Sequence, residues 1–192
     1  MEKIHGIAKV INKIYQRGYM PSRSMERYRP ITTLMVNCFG HACFNLEEND
    51  LLNTFQSYDM RRDLHVFFRR FKIGRHYVEN AKDMTQCFQE KIRATGLKVD
   101  ESSLDENLKD NQWKVAFYFR DEYKDEEENE VSSDPHFMLQ TKSGLWTSKM
   151  GTIADFVEVF KEPPEKWKDY TLRGIYKITN PYLEKEVDEE NE

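Results

Sequence analysis

The apolar positions of this chain change period half-way along it. Near the start, Ile4, Ile7, Ala8, Ile11, Ile14 and Tyr15 recur at intervals of three and four, the spacing that lines one face of an α-helix. The same spacing predicts a helix over 59–72, where Leu64, Phe67, Phe68 and Phe71 share a face, and another over 80–95 with Met84, Cys87, Phe88 and Ile92. Gly96 stops the latter, because helices commonly end on a residue that tolerates the left-handed conformation. A short apolar helix is expected over 38–46. Beyond residue 112 the period becomes two. Trp113, Val115, Phe117 and Phe119 alternate with Lys114, Ala116 and Tyr118, as in a strand with two unlike faces. Residues 136–142 and 144–149 read as a hairpin turning at Lys142-Ser143-Gly144, and 170–179 alternates again, with Gly174 marking a bulge. N-terminal helices packed on a C-terminal antiparallel sheet make an α+β domain.

The organisation follows from the breaks between these elements. Residues 1–30 read as a helical extension and a basic connector bracketed by Gly18, Pro21 and Pro30, and Pro163-Pro164 marks a loop. A single domain spanning 1–182 is expected, with 183–192 as an acidic, disordered tail. The length of 192 residues fits one domain. No run approaches the ~18 apolar residues of a membrane helix.

Charge changes the picture because it is uneven. The formal net charge is −5. Residues 121–130 hold seven acids and one lysine, and 183–192 hold six acids and one lysine. Outside those windows 27 basic residues face 21 acidic ones, so the body is basic. Arg17, Arg23, Arg27 and Arg29, then Arg61, Arg62, Arg69, Arg70, Lys72 and Arg75, dominate the first half. They read as solvated helix faces rather than a nucleic-acid surface, since no zinc-finger or RNA-binding motif accompanies them. The acidic run 121–134 reads as a surface loop leading directly to His136, where its charge is expected to favour the imidazolium. Such a loop is placed to act as a lid or selectivity element.

Candidate chemistry begins with the cysteines. Cys38, Cys43 and Cys87 are an odd, low count in a chain that opens on an amphipathic helix rather than a secretion signal, which points to a reducing cytoplasm and free thiols. Cys38 falls where the extended run ITTLMVN gives way to a helical one. A thiol at a helix N-terminus is expected to have a lowered pKa. His136 opens a strand, where its imidazole can serve as base to a thiol on a helix packed against the sheet. Cys38, His41 and Cys43 lack the spacing and the fourth ligand of a zinc site, and no glycine-rich phosphate loop is present, so no metal or cofactor is implied.

Asn37-Cys38-Phe39-Gly40-His41-Ala42, then His136-Phe137-Met138-Leu139-Gln140 and Gly144-Leu145-Trp146-Thr147-Ser148-Lys149-Met150-Gly151, resemble the papain-like cysteine-peptidase superfamily, and within it the NlpC-type amidases and peptidases. They are similar to bacterial and phage proteins carrying an Asn-Cys box and a His-Phe…Gly-x-Trp box. The resemblance implies a papain-like fold, Cys38 as nucleophile and His136 as general base. It places a third, orienting residue on the strand after His136, and counting along the hairpin gives Ser148. The family has His or Asn there, and a hydroxyl stabilises an imidazolium less. Gln140 is a second orienting candidate on the same strand face. The oxyanion hole would use the Cys38 backbone N–H, with Asn37 as a further donor, and Trp146 would contact substrate. The implied activity is thiol hydrolysis of an amide or isopeptide bond in a peptide or protein. The alternative is a binding protein that keeps the fold without the chemistry, such as a phage or mobile-element inhibitor of a host defence system.

Overall fold

The computed structural model describes residues 2–20, 36–44, 54–73, 75–151 and 157–186. Among the described residues three α-helices supply one layer: α1 (Glu2–Gln16), α2 (Tyr58–Arg69) and α3 (Ala81–Ala94). The starts of α2 and α3 are fixed by side-chain caps. The Ser57 hydroxyl accepts the Met60 N–H, and Asn80 Oδ1 accepts the Asp83 N–H at 2.9 Å, which satisfies donors that the first helical turn leaves open. Beyond α3, Gly96 sits at φ 83°. A side chain there would also collide with Asn12 and Tyr182, whose mutual hydrogen bond ties α1 to the C-terminal segment.

The other layer is a seven-stranded antiparallel sheet. Its longest members are β4 (Gln112–Arg120), β7 (Asp134–Gln140) and β11 (Tyr170–Thr179). Strand order is β10-β11-β4-β7-β8-β9, with β3 also paired to β11; here β3 is Lys98–Ser102, β8 Trp146–Ser148, β9 Glu158–Phe160 and β10 Lys166–Trp167. The expected hairpin turns between β7 and β8, with Gly144 at φ 85°. The β11–β4 register slips between Leu172 and Gly174, where the sequence placed a bulge.

Alternation along β4 splits the core in two. Trp113, Val115, Phe117 and Phe119 join the main cluster with the helices, while Ala116 and Tyr118 join Met138, Trp146, Trp167, Tyr170 and Ile175 on the opposite face. Phe137 is the hub of the helix-facing cluster. Its ring lies 5.1 Å from Phe39, 5.3 Å from Phe88, 5.4 Å from Phe117 and 6.3 Å from Phe71. Lys91 is buried on α3, with Nζ donating to the Phe67 carbonyl and lying over the Phe71 and Phe67 rings.

Several elements escaped the sequence. β1 (Lys72–Ile73), β2 (His76–Tyr77), β9 and β10 are two or three residues long, too short to show a period. The acidic segment expected as a loop carries a small hairpin, β5 (Tyr123–Lys124) with β6 (Glu130–Val131). Asp125 organises its turn by accepting the N–H groups of Glu127 and Asn129, each at 2.9 Å. The basic connector with Arg23, Arg27 and Arg29, most of the run before Cys38, residues 152–156 and the acidic tail from 187 lie outside the described residues. Among the described residues no helix is long and apolar enough to cross a membrane.

Candidate active site

Asn37 begins the site by capping. Its Oδ1 accepts the Gly40 N–H at 3.1 Å, its carbonyl accepts the His41 N–H at 2.9 Å, and its Nδ2 donates to the Phe68 carbonyl of α2 at 3.0 Å. Cys38 and Phe39 are therefore the first helical residues, and Gly40–Phe44 continues as a π-turn. Gly40 lets this turn press against α2, because a Cβ would meet the Phe68 ring and Val36 at 3.0 Å.

The turn docks on the edge of β7. β8 pairs only with Met138–Gln140, so the edge at 134–137 is left for another partner. Cys38 fills it. Its thiol donates to the Pro135 carbonyl at 3.9 Å, and the N–H groups of Phe137 and Phe39 face the sulfur. A cavity of about 220 Å³ opens there, lined among others by Cys38, Asp134, His136, Met150, Tyr170 and Arg69.

His136 reaches this cavity from the sheet. Its Nε2 shares a hydrogen bond with Ser148 Oγ at 2.8 Å. The ring stacks on Trp167 with centroids 4.3 Å apart and planes at 27°, and Tyr170 flanks it at 5.5 Å. Nδ1 makes no hydrogen bond among the described residues. Cys38 and His136 thus line one cavity, with Ser148 bonded to the imidazole and the thiol bonded to the Pro135 backbone.

Other expectations are corrected. Asn37 spends both ends of its amide on the cap and on Phe68, so it is a structural clamp rather than an oxyanion donor. Gln140 lies four residues from His136, roughly 13 Å along the strand, and its Nε2 donates to Gly144 within the hairpin turn. It orients nothing at the imidazole. Trp146 is 1% exposed, packs in the core away from the helices and is not among the side chains that line the cavity. The side chain that stacks on the imidazole is Trp167 instead. Asp134, Tyr170 and Lys149 were also missed. Asp134 shares a strand face with His136 by the period of two, a weak signal; Trp167 and Tyr170 carry none.

Burial reverses both expected titrations. The Cys38 thiol is pushed up to about 12, first by desolvation and then by the Asp134 carboxylate, which outweigh the facing N–H groups and Lys149. The helical start is too short and too buried for its dipole to win. His136 is pushed down to about 3 by burial, with His41 and Lys168 adding to it; the acidic segment does not reverse that. His41 falls to about 3 for the same first reason, helped by Lys149, and its Nε2 meets Thr147 Oγ1 at 3.0 Å. Asp134 is raised by burial although Tyr170 Oη donates to it at 2.5 Å. Lys149, buried with Nζ donating to Gly151 O at 2.8 Å, is lowered to about 8. Cys43 is raised well above the ordinary thiol range by burial. Among the described residues no group of three or more His, Cys, Asp or Glu is placed to hold a metal ion.

These two rings make the fold acid-sensitive. Both histidines take up a proton near 6.5 when unfolded and near 3 when folded, so between those values the unfolded state binds more protons. Stability is complete above pH 6.5 and falls toward pH 3, by about 1.4 kcal/mol per pH unit for each ring. Urea unfolding from pH 7 to pH 4 should show this loss. A flat profile would mean that the rings are not held neutral.

Comparisons of the chain with protein-family profiles, with curated proteins and with solved structures found no match.

Proposed function

We propose that this chain is a papain-like thiol hydrolase in which Cys38 attacks an amide or isopeptide carbonyl and His136 takes the thiol proton. The observation that carries this reading is the joint placement of Cys38 and His136 on one cavity, with Ser148 engaging Nε2 and leaving Nδ1 as the ring atom for the proton. The resting pair is a neutral thiol and a neutral imidazole. The proton therefore leaves Sγ for Nδ1 as the S–C bond forms, and a free thiolate does not accumulate. The imidazolium returns that proton to the leaving amine. Water then hydrolyses the thioester, with Nδ1 accepting its proton, and frees the thiol. The Cys38 N–H, one of the first-turn donors without an intrahelical acceptor, is available to the oxyanion.

p-Nitrophenyl acetate tests the reading without a known substrate. The expected result is a nitrophenol burst of one equivalent, an acetyl group on Cys38 and subsequent turnover, all absent in Cys38→Ala. Acetylation confined to surface lysines would contradict it. Ser148→Ala should slow the burst at least ~10-fold, a smaller loss than the ~10⁴ seen when a carboxylate partner is removed from a histidine.

A second reading, a binding protein without turnover, is favoured by one observation: the thiol is raised and the imidazole lowered, so neither is poised as an ion pair. A stoichiometric burst with no turnover would support it.

A further inference from the structure

Asp134 is the acidic side chain on the cavity wall. Its Oδ2 accepts the Tyr170 hydroxyl, and Oδ1 has no hydrogen-bond partner among the described residues. Arg120 and Arg69 act on this carboxylate electrostatically and offset part of the rise that burial causes, but neither donates a hydrogen bond to it. Arg120 holds Asp169 with Nη1 at 3.0 Å and the Ser132 carbonyl with Nε and Nη2. Lys149 donates to Gly151. Arg69 stands exposed at the rim with Nη1 3.4 Å from His65 Nε2. Of the charges felt by the Cys38 thiol, Asp134 acts most strongly, ahead of Lys149.

The acidic hairpin carries further acids outward. It runs straight into Asp134, and Arg120 anchors its base through Ser132. Asp121 is spent on Arg173 and Glu128 on Lys124. Glu122, Glu126 and Glu130 are exposed and carry no ion pair among the described residues. Glu130 lies four residues from Asp134, at most ~14 Å away, beyond the ~8 Å screening length of physiological salt, so the hairpin acids offer separate contacts to an extended ligand rather than adding to the field at Asp134. Several acids along one ribbon, ending at a half-satisfied carboxylate beside the nucleophile, suit several cations on one extended chain.

We propose that the cavity takes a cationic side chain of a basic polypeptide, a lysine ammonium or an arginine guanidinium, on Asp134 beside Cys38, with the acidic hairpin receiving further basic residues of the same chain. This rests on the hydrolase reading and names its substrate class. Docking the cation also neutralises the carboxylate that disfavours the thiolate, so the substrate itself promotes attack.

Charged methanethiosulfonates test it. The Cys38 sulfur displaces methanesulfinate and forms a mixed disulfide, and its proton passes to His136 or water. Rates at Cys38 are read by peptide mapping for the neutral methyl, the cationic aminoethyl and the anionic sulfonatoethyl reagents, and normalised to free glutathione. The cationic reagent should exceed the anionic one at least ~10-fold, and the preference should shrink in high salt. In Asp134→Asn the ratio should approach one and the neutral reagent should speed up at Cys38 alone, with Cys43 and Cys87 still protected, whereas damage to the fold would expose all three thiols. The exposed triple variant Glu122→Gln, Glu126→Gln, Glu130→Gln keeps the test open if Asp134→Asn fails to fold, and should weaken the protection of Cys38 by a hexalysine peptide. A ratio of one or below in the wild type overturns the proposal. If the neutral reagent still labels Cys38 rapidly and depends on His136, the hydrolase reading survives that result; loss of His136 dependence sinks the reading instead. Inertness of Cys38 to all three reagents overturns both. A hexalysine peptide should protect Cys38, whereas ethylammonium at equal total charge should not. Equal protection would assign the cavity to small amines and overturn the polypeptide substrate.

Discussion

His136→Ala should slow alkylation of Cys38 by iodoacetamide at pH 7 by about 10²–10⁴-fold, the range a positioned general base contributes. A thiol pushed up to about 12 is ionised in only about one molecule in 10⁵ at that pH, so rapid alkylation needs a base at hand. His136 is the imidazole on the cavity that holds the sulfur. Cys43, fully buried, and Cys87, also raised by burial, serve as internal controls within each digest. In the wild type Cys38 should react first. Equal, slow alkylation of all three thiols, unchanged by His136→Ala, would remove the basis for a dyad.

Phe137→Ala should cost about 3–5 kcal/mol in urea unfolding, a large share of the ~5–15 kcal/mol that holds a typical domain together. The ring is fully buried and touches Phe39, Phe71, Phe88 and Phe117. It follows His136 in β7, and Phe39 follows Cys38 in the turn, so the Phe137–Phe39 contact couples the two candidate groups through packing. The same substitution should therefore also slow Cys38 alkylation under conditions where the variant is still folded. Tyr58→Ala, at a ring 79% exposed, should change stability by less than ~0.5 kcal/mol. Comparable losses for the two variants would contradict the placement of Phe137 at the centre of the core.

Much of this was legible in the sequence because long elements carry a period. Phe117 and Phe119 alternate with Tyr118, and that spacing assigned β4 its two faces. Leu64, Phe67 and Phe68 did the same for α2. Ser148 was reachable because the resemblance implies an orienting residue on the strand after His136, and counting along the hairpin that turns at Gly144 gives that position. What was illegible depends on contacts between distant segments. Trp167 and Tyr170 meet His136 and Asp134 only because β10 and β11 pair beside β4 in the same sheet, and the two-residue β10 that carries Trp167 leaves no pattern. Trp146 and Trp167 are the same residue type, and nothing local says which is core and which is site. The titrations were misjudged for a related reason. A helix start and a run of acids are visible in a sequence, whereas the desolvation that overrides both is set by how the turn seats on β7. Asn37 likewise reads as a polar neighbour of the nucleophile until Phe68 and Gly40 are seen to occupy its amide.

The most direct measurement is the tautomer of His136 at neutral pH, read from the 15N shifts of its two ring nitrogens. The Ser148 contact at 2.8 Å allows either direction of donation. A general base at Nδ1 requires the proton on Nε2, donated to Ser148 Oγ, with Nδ1 unprotonated, and that tautomer is the expected result. A proton found on Nδ1, with Ser148 donating to Nε2, would leave no lone pair for the Cys38 proton and would contradict the proposed chemistry.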